Sequence, residues 1–281
     1  MKRFAGGTAI VTGGASGIGL GLARRLGQAG MRVMLLDIEA EAMALAVDEL
    51  RGYQIEAHAR HCNVADAAAL GEAIAATAAD LGPLQFLCNN AGVAAGGRME
   101  DVPLADWEWI VGVNMMSVVH GIRAALPLMR AHGKPGWIVN TASMAGMVGI
   151  PGMAPYCATK SAVVAMSEAL RQELAESPIG VSVLCPGWVS TRIHESRRNH
   201  PAPDAVPAAQ GDPEQAAAIR QLIEQGMTPD TVAERVVEAI ETGELYIFTH
   251  PDMAPAVDDR SRAIAAAMDA ARHSRALAGG G

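Results

Sequence analysis

The sequence lacks two features, a surplus of basic residues and a long apolar run. Its 281 residues carry a formal charge of −8, with acidic and basic side chains mixed along the chain, unlike a nucleic-acid surface. No apolar run reaches the roughly 18 residues of a membrane span, and the opening stretch MKRFAGGTAIVTGG has no secretory apolar core. We therefore expect no nucleic acid and no membrane among its partners.

Close groups of metal-binding residues are also missing. The chain has eight histidines, and none stands at the spacing of a helical metal site. The cysteines form no CxxC pair, so neither a zinc site nor a disulfide framework is indicated. They are Cys62, Cys88, Cys157 and Cys185. The sequence therefore predicts a reduced, cytoplasmic protein with no metal.

Short β-rich runs alternate with longer helical patterns along most of the chain. This alternation predicts parallel strands covered by helices on both faces, and right-handed crossovers then give a Rossmann-type, doubly wound α/β sheet. We expect one domain over residues 1–250, followed by a helical extension and tail at 251–281. The seven runs are TAIVTG, MRVMLLD, QIEAHARHCNV, LQFLCNNAG, GWIVNTAS, GVSVLCPG and ELYIFTH.

The alternation stops after Gly187. Residues 197–213 hold four prolines and show no apolar periodicity. They form either a plain surface insertion or a mobile lid over a substrate pocket. Ligands bind at the carboxyl ends of strands in such sheets, so the position after a strand favours a lid, expected at about residues 188–228.

A glycine-rich turn follows the first predicted strand, in AIVTGGASGIGLGLARRL. Gly13, Gly17 and Gly19 let the backbone turn sharply and approach a pyrophosphate closely. The helix that follows offers free N–H groups and the positive end of its dipole. A glycine trio alone is weak support, but its place between a buried strand and an amphipathic helix predicts a dinucleotide site.

Asp37 ends the second predicted strand. A carboxylate there accepts hydrogen bonds from both adenosine ribose hydroxyls and repels a 2′-phosphate. No cation adjoins this position, because Ser16 precedes Gly17 and Ile38 follows Asp37. We therefore predict NAD rather than NADP as the cofactor. The competing interpretation is that Asp37 is a loop residue or the N-cap of the next helix.

Tyr156 and Lys160 stand four residues apart at a helix start whose entry is fixed by Pro151 and Pro155. A free tyrosine titrates near pH ~10 and is a poor base at neutral pH. A neighbouring ammonium stabilises the phenolate and lowers its pKa. Tyr156 would then exchange a proton with an alcohol or carbonyl, while Lys160 also holds the cofactor's ribose.

Two further residues strengthen this interpretation. Ser143 ends the strand GWIVNTAS, so its hydroxyl lies at the carboxyl edge, where it can polarise a substrate oxygen. Asn114 lies inside a long helical pattern, where asparagine is a mediocre helix former. It either interrupts the helix and links Lys160 to solvent through a water, or it is a satisfied polar residue between packed helices.

These motifs together resemble the classical short-chain dehydrogenases/reductases over about residues 5–250. The resemblance rests on TGGASGIG (12–19), NNAG (89–92), Asn114, Ser143, YCATK (156–160) and PGWVST (186–191). It implies an oxidoreductase acting on a small-molecule alcohol or ketone, with a catalytic set of Asn114, Ser143, Tyr156 and Lys160.

The resemblance also implies cofactor contacts beyond the glycine turn. They fall on Ser16, Ile18, Asp37, Asn63, Val64, Asn90 and Val189. Many relatives have Asp-Val where this chain has Asn63-Val64. An asparagine can still bond the adenine edge, so only the detail of that contact differs.

Relatives of this kind are commonly homotetramers joined through two long helices. The corresponding segments here are residues 106–130 and 156–176, which are rich in small and apolar residues. This composition suits a helix buried on more than one side. We expect a homotetramer or homodimer, the alternative being a packing face within one subunit.

The substrate is less sharply indicated than the reaction. The expected pocket walls are apolar and rich in methionine, which adapts to irregular shapes. They are Met144, Met147, Met153, Val93, Ala94, Trp188 and the lid, with Arg192, His194, Arg197 and Arg198 nearby. A bulky apolar or aromatic secondary alcohol is the leading class.

One specific member of that class and two alternatives to it accompany this expectation. The stretch GELYIFTHPDM and the overall length are similar to the lignin aryl-ether Cα-dehydrogenase branch of the family. A 3-oxoacyl or steroid-type ketoreductase is the second enzymatic possibility. A non-catalytic nucleotide-sensing module is the third, although such a module has no need of Ser143, Tyr156 and Lys160 together.

Overall fold

The structure is a computed structural model that describes residues 1–204, 206, 213–274 and 276–277. The chain separates into two compact units, Met1–Thr249 and His250–Gly281. Part of the expected lid, residues 205 and 207–212, lies outside the described residues.

A parallel sheet of seven strands forms the centre of the first unit, in the order β3-β2-β1-β4-β5-β6-β7. The chain winds outward from β1 in one direction and then from β4 in the other, so the sheet is doubly wound as expected. The strands are β1 (Thr8–Thr12), β2 (Arg32–Asp37), β3 (Ala57–His61), β4 (Leu84–Asn89), β5 (Gly136–Thr141), β6 (Ile179–Cys185) and β7 (Tyr246–Phe248).

Helices cover the sheet and connect its strands. Those of the first unit are α1 (Gly17–Gln28), α2 (Ala40–Gly52), α3 (Ala67–Leu81), α4 (Leu104–Val111), α5 (Ser117–Ala131), α6 (Ala154–Glu173), α7 (Pro213–Glu224) and α8 (Pro229–Thr242). The second unit contains α9 (Ala254–Arg272).

Two apolar clusters fill the two faces of the sheet. One joins the strands to α1, α2 and α8, through side chains such as Leu22 and Val236. The other joins them to α3, α5 and α6, through side chains such as Ile74 and Leu170. Every residue of β1, β4 and β5 is buried, which is why the centre of each strand is an apolar run. The predicted fold class is confirmed.

Among the residues that the structure describes, one helical segment, Leu104–Ala131, is long and apolar enough by composition to cross a membrane, and 39% of its most apolar window is buried. It includes α4, α5 and a π-helical stretch, Gly112–Met116, between them. In the fold it packs against β4, α3 and α6. The segment is therefore part of the helical layer beside the sheet.

Candidate active site

The glycine turn after β1 is shaped by the absence of side chains. Gly13 and Gly17 have φ of +61° and +53°, a conformation that favours glycine. A Cβ on Gly19 would lie 2.0 Å from the Gly13 carbonyl oxygen and 2.7 Å from the Asn90 amide nitrogen. Only a bare backbone fits here. The turn opens at the N-terminus of α1, so it suits the pyrophosphate of a dinucleotide.

The Asp37 carboxylate fastens this turn to the end of β2. Its Oδ2 accepts a hydrogen bond from the Ala15 amide at 3.0 Å. Its Oδ1 accepts from the amides of Ile38 at 2.7 Å and Glu39 at 3.2 Å. The N-cap of α2 is Glu39, so Asp37 does not cap that helix. Asp37 therefore lies beside the glycine turn, which is the position expected for a carboxylate that binds the adenosine ribose.

Asn90, expected to contact the cofactor, has its side chain occupied within the protein. Its amide nitrogen donates to the carbonyls of Thr12 at 3.1 Å and Gly13 at 3.3 Å, and its Oδ1 accepts from the Thr141 hydroxyl at 3.3 Å. The side chain thus ties together the ends of β1, β4 and β5. Sequence reasoning gave no role to Thr12, whose hydroxyl accepts a hydrogen bond from the backbone amide of Asn90 at 2.9 Å.

The other expected cofactor residues lie around the same edge of the sheet. Asn63 is exposed after β3, and its Oδ1 accepts from the Ala65 amide at 3.1 Å. Val64 and Val189 are buried at 6% and 4% exposure, so their side chains belong to the core. Ser16 is exposed and Ile18 half-buried at the start of α1.

Tyr156 and Lys160 lie in the first turns of α6, where Pro155 occupies one of the first positions of the helix. The Lys160 ammonium is 5.6 Å from the centre of the Tyr156 ring. Lys160 is only 3% exposed, and its Nζ donates to the Thr141 carbonyl at 2.8 Å. The pair therefore adjoins the carboxyl end of β5.

The pKa values of this pair differ from the sequence expectation. Burial raises the pKa of the Tyr156 phenol to about 12, against the opposing effect of a hydrogen bond with Ser143. Burial also lowers the pKa of the Lys160 ammonium to about 8. The expected lowering of the tyrosine pKa by the lysine is not met, because loss of water around the phenol is the largest effect on it.

Ser143 and Asn114 complete the group. Ser143 follows β5, and its Oγ accepts from the Ala145 amide at 3.1 Å and faces Tyr156. Asn114 is fully buried at the centre of the π-helical stretch, and its side chain bonds both the amide and the carbonyl of Val93, at 2.8 and 2.9 Å. The wider π turn orients the Asn114 side chain toward the loop after β4, which contains Val93.

Gly92 lies next to the side chains of both Asn114 and Lys160. A Cβ on Gly92 would lie 3.4 Å from Lys160 Nζ and 3.5 Å from Asn114 Oδ1. Both side chains therefore border the same glycine. The structure brings the four expected catalytic residues together at one edge of the sheet, although they come from three separate stretches of chain.

The expected pocket walls divide into buried and accessible residues. Met144 and Val93 are buried at 4% and 6% exposure, whereas Met147, Met153 and Trp188 are half-buried. An apolar cluster, of which sequence reasoning named only Val93, lies against the Tyr156 ring. It consists of Val93, Trp109 and Ile110, with Ala95 and Val113 partly buried beside them.

Sequence reasoning also missed two acidic residues that contact the start of the segment expected to form a lid. Glu39 accepts hydrogen bonds from Arg198 and Asn199. Asp106, at 2% exposure, contacts Arg197 and His200. These partners lie too far apart in the chain for any spacing rule to reveal them, so only the fold shows the pairing.

Comparison with known proteins agrees with the geometry. A family model described as short chain dehydrogenase matches residues 7–202. A "C alpha-dehydrogenase" of Sphingobium sp. (strain NBRC 103272 / SYK-6) is 35% identical over 265 residues, which cover 94% of this chain and 87% of that protein.

Two solved structures are similar over nearly the whole chain. A short chain dehydrogenase/reductase from Burkholderia phymatum in complex with NAD has a TM-score of 0.88 and 36% identity, covering 94% of this chain and 96% of that one. An actinorhodin polyketide ketoreductase with NADPH has a TM-score of 0.74 and 33% identity, covering 88% and 97%. Since the matches run through both the glycine turn and the tyrosine helix, the chain belongs to the short-chain dehydrogenase family and is an oxidoreductase acting on CH–OH groups.

Proposed function

We propose that this protein is an NAD-dependent dehydrogenase that interconverts a bulky, apolar or aromatic secondary alcohol and its ketone. The observation that carries the proposal is the grouping of Ser143, Tyr156 and Lys160 at the end of β5. This group lies beside a turn in which Gly19 has no room for a side chain. A nucleotide-sensing module needs the turn but not the buried lysine. Bound NAD would supply the hydride acceptor.

Tyr156 is the proposed acid and base. Its phenol is protonated at neutral pH, because its pKa is raised to about 12, and so it is set to donate a proton to a ketone oxygen. Ser143 faces the phenol and would hold the same oxygen. In the oxidative direction the phenol must first lose its proton, which the Lys160 ammonium favours by its charge.

Four further residues are proposed to contribute to the cofactor site mainly through backbone groups: Asn63, Val64, Asn90 and Val189. Asn63 also offers its exposed side-chain amide. Asp37 and the turn residues Gly13, Ser16, Gly17, Ile18 and Gly19 hold the ribose and pyrophosphate in this proposal. NAD is favoured over NADP because a carboxylate occupies the ribose position and the nearby Arg198 is already paired with Glu39.

The substrate class rests on two observations. Tyr156 adjoins the apolar cluster of Val93, Trp109 and Ile110, which suits a hydrophobic substituent next to the reacting carbon. The 35% identity to a C alpha-dehydrogenase spans 94% of the chain and supports an aryl-ether Cα-alcohol. A 3-oxoacyl ketoreductase is the second candidate, favoured by the similarity to a polyketide ketoreductase with NADPH.

An activity screen tests the proposal. We expect absorbance of reduced nicotinamide to appear with NAD and aromatic secondary alcohols, and Tyr156→Phe to lower kcat by about 10² to 10⁴ without weakening NADH binding. Tyr53→Phe, a change at a 56% exposed tyrosine, is the matched control. Turnover only with NADPH and 3-oxoacyl thioesters would favour the second candidate. Tight NADH binding with no turnover of any alcohol or ketone would favour the sensor.

We also propose a homotetramer or homodimer in the cytoplasm. The apolar helical segment Leu104–Ala131 is only 39% buried in its most apolar window, which supports a second copy covering it. The four cysteines are unpaired, buried thiols, in keeping with a reducing compartment. Light scattering of the purified protein measures the assembly directly, and a monomeric mass would refute the oligomer.

A further inference from the structure

The start of the expected lid contacts both sides of the proposed nucleotide cleft, at Glu39 after β2 and at Ala94 after β4. It comprises residues 192–200, including a 3₁₀-helix at Ile193–Asn199, and is called the strap below. Just before it, the Thr191 methyl group would lie 3.0 Å from a Cβ on Gly17, so the chain leaves β6 directly against the glycine turn.

On one wall the strap is held by Glu39. Its Oε1 accepts from Arg198 Nη2 at 2.7 Å and from Asn199 Nδ2 at 3.0 Å, and its Oε2 is 4.0 Å from Arg192 Nη1. Partial burial tends to raise the pKa of Glu39, but the hydrogen bonds from Arg198 and Asn199 outweigh it and the pKa is lowered. The carboxylate is therefore charged at neutral pH. Its own backbone amide bonds Asp37, the expected ribose ligand.

On the other wall the strap is held at two points. Ser196, which is 4% exposed, accepts from the Ala94 amide through its Oγ at 3.0 Å. Further on, Arg197 Nη1 and His200 Nε2 each lie 3.2 Å from Asp106 Oδ1. The side chains of Asp106 and His200 are 3% and 1% exposed, so this anchor is buried.

The order of the strands places the strap over the cofactor. Glu39 follows β2 and Ala94 follows β4, and β1 lies between those strands with the glycine turn at its end. A segment fastened to both neighbours of β1 crosses above that turn. A dinucleotide bound at the turn would have to pass the strap to enter or leave.

We propose that Glu39 is a positioning residue that fastens the strap across the nucleotide cleft and thereby sets the rate at which the dinucleotide is released. The inference rests on the proposed nicotinamide-dependent function and adds a residue that controls it. The Glu39 contacts are the ones that open, because Arg198 and Glu39 keep 27% and 25% of their side chains exposed, and such pairs hold weakly. The contacts of buried Asp106 with Arg197 and His200 stay in place, and the strap pivots about them.

Stopped-flow fluorescence of bound NADH tests the proposal. We expect Glu39→Ala to raise the NADH dissociation rate about two- to fivefold, and Glu39→Gln, which keeps an acceptor for Arg198, to raise it less. Steady-state kinetics should show a higher KM for NAD. The matched control is Glu195→Ala, which removes an ion pair to Arg192 at 2.7 Å within the strap and leaves the contacts of Glu39 with Arg198 and Asn199 in place.

A double variant separates a specific contact from general loosening. Arg198→Gln alone should speed release, but less than Glu39→Ala, which also removes the bond from Asn199. Adding Arg198→Gln to Glu39→Ala should cause little further change, because the contact between the two residues is already lost. Additive effects, an equal effect of Glu195→Ala, or release at the wild-type rate would each overturn the inference. Wild-type protein that binds no reduced nicotinamide dinucleotide would overturn the proposed function as well, so the two failures are distinguishable.

Discussion

The cleft is built differently at its two edges. At the end of β1 its shape comes from missing side chains, since a Cβ on Gly19 would lie 2.0 Å from a backbone oxygen. At the end of β5 it comes from buried polar side chains, since Lys160 is 3% exposed and Asn114 fully buried. The first edge is specified by geometry, whereas the second depends on how the surrounding protein changes the chemistry of each group.

The largest expected effect concerns the buried lysine. Its pKa is lowered to about 8 from the model-compound value of 10.5, so the folded protein holds its proton less tightly than the unfolded chain. The cost of burying the ammonium is present in full below pH 8, declines between pH 8 and 10.5, and is absent above. Relative to Lys160→Met, wild-type stability should therefore rise by roughly 2 to 3 kcal/mol from pH 7 to 10.5.

Urea unfolding of both proteins across this pH range measures the difference. Lys134→Met is the control, since it makes the same chemical change at an exposed lysine. Parallel curves for wild type and Lys160→Met would mean that the lysine is hydrated in solution. The catalytic edge would then no longer contrast with the glycine edge.

The second expected effect belongs to the glycine edge. Gly19→Ala forces the new methyl group against the Gly13 carbonyl and the Asn90 amide, so the turn must shift. We expect a loss of stability of about 1 to 3 kcal/mol, typical of overpacking, together with at least roughly tenfold weaker NADH binding. Thermal unfolding and NADH fluorescence titration measure the two effects.

Gly71→Ala provides the comparison for that change. Gly71 lies inside α3, where a Cβ meets no atom within 4 Å, so alanine should stabilise the protein by up to about 1 kcal/mol. NADH binding should stay as in wild type. Equal losses from both substitutions would show that the glycine turn is not specially constrained.

The sequence reveals the fold and the glycine edge better than the catalytic edge. Strands such as β1 and β5 are buried throughout, and the apolar runs at their centres follow directly from that burial. The spacing of Tyr156 and Lys160 likewise predicts a shared helix face. These features depend on local pattern, which any reader of the sequence can see.

The rest depends on which groups the fold brings together. The raised pKa of Tyr156 arises from the surrounding protein, and the sequence shows only the nearby lysine, which suggests the opposite direction. Asp106 meets His200 and Glu39 meets Arg198 across long stretches of chain. Asn114 signals a helix interruption by residue type, but its π turn and its bonds to Val93 require the structure.

The smallest expected effect tests whether charge matters at the glycine edge at all. Asp37 accepts hydrogen bonds from the amides of Ala15, Ile38 and Glu39, so alanine would disturb the turn as well as remove the charge. Asp37→Asn keeps one acceptor oxygen and removes the charge that repels a 2′-phosphate, at the cost of one of these hydrogen bonds, because the NH2 group of asparagine cannot accept. We expect the ratio of kcat/KM for NAD to that for NADP to fall about three- to tenfold.

Asp48→Asn makes the same chemical change at an exposed position of α2 and should leave the ratio unaltered. An unchanged ratio in Asp37→Asn would mean that another carboxylate sets the preference, and Glu39 is the one beside it. That result would shift the source of selectivity from the ribose ligand to the residue that holds the strap. A fall in the ratio would instead show that this edge, although shaped by bare backbone, selects its cofactor through one negative charge.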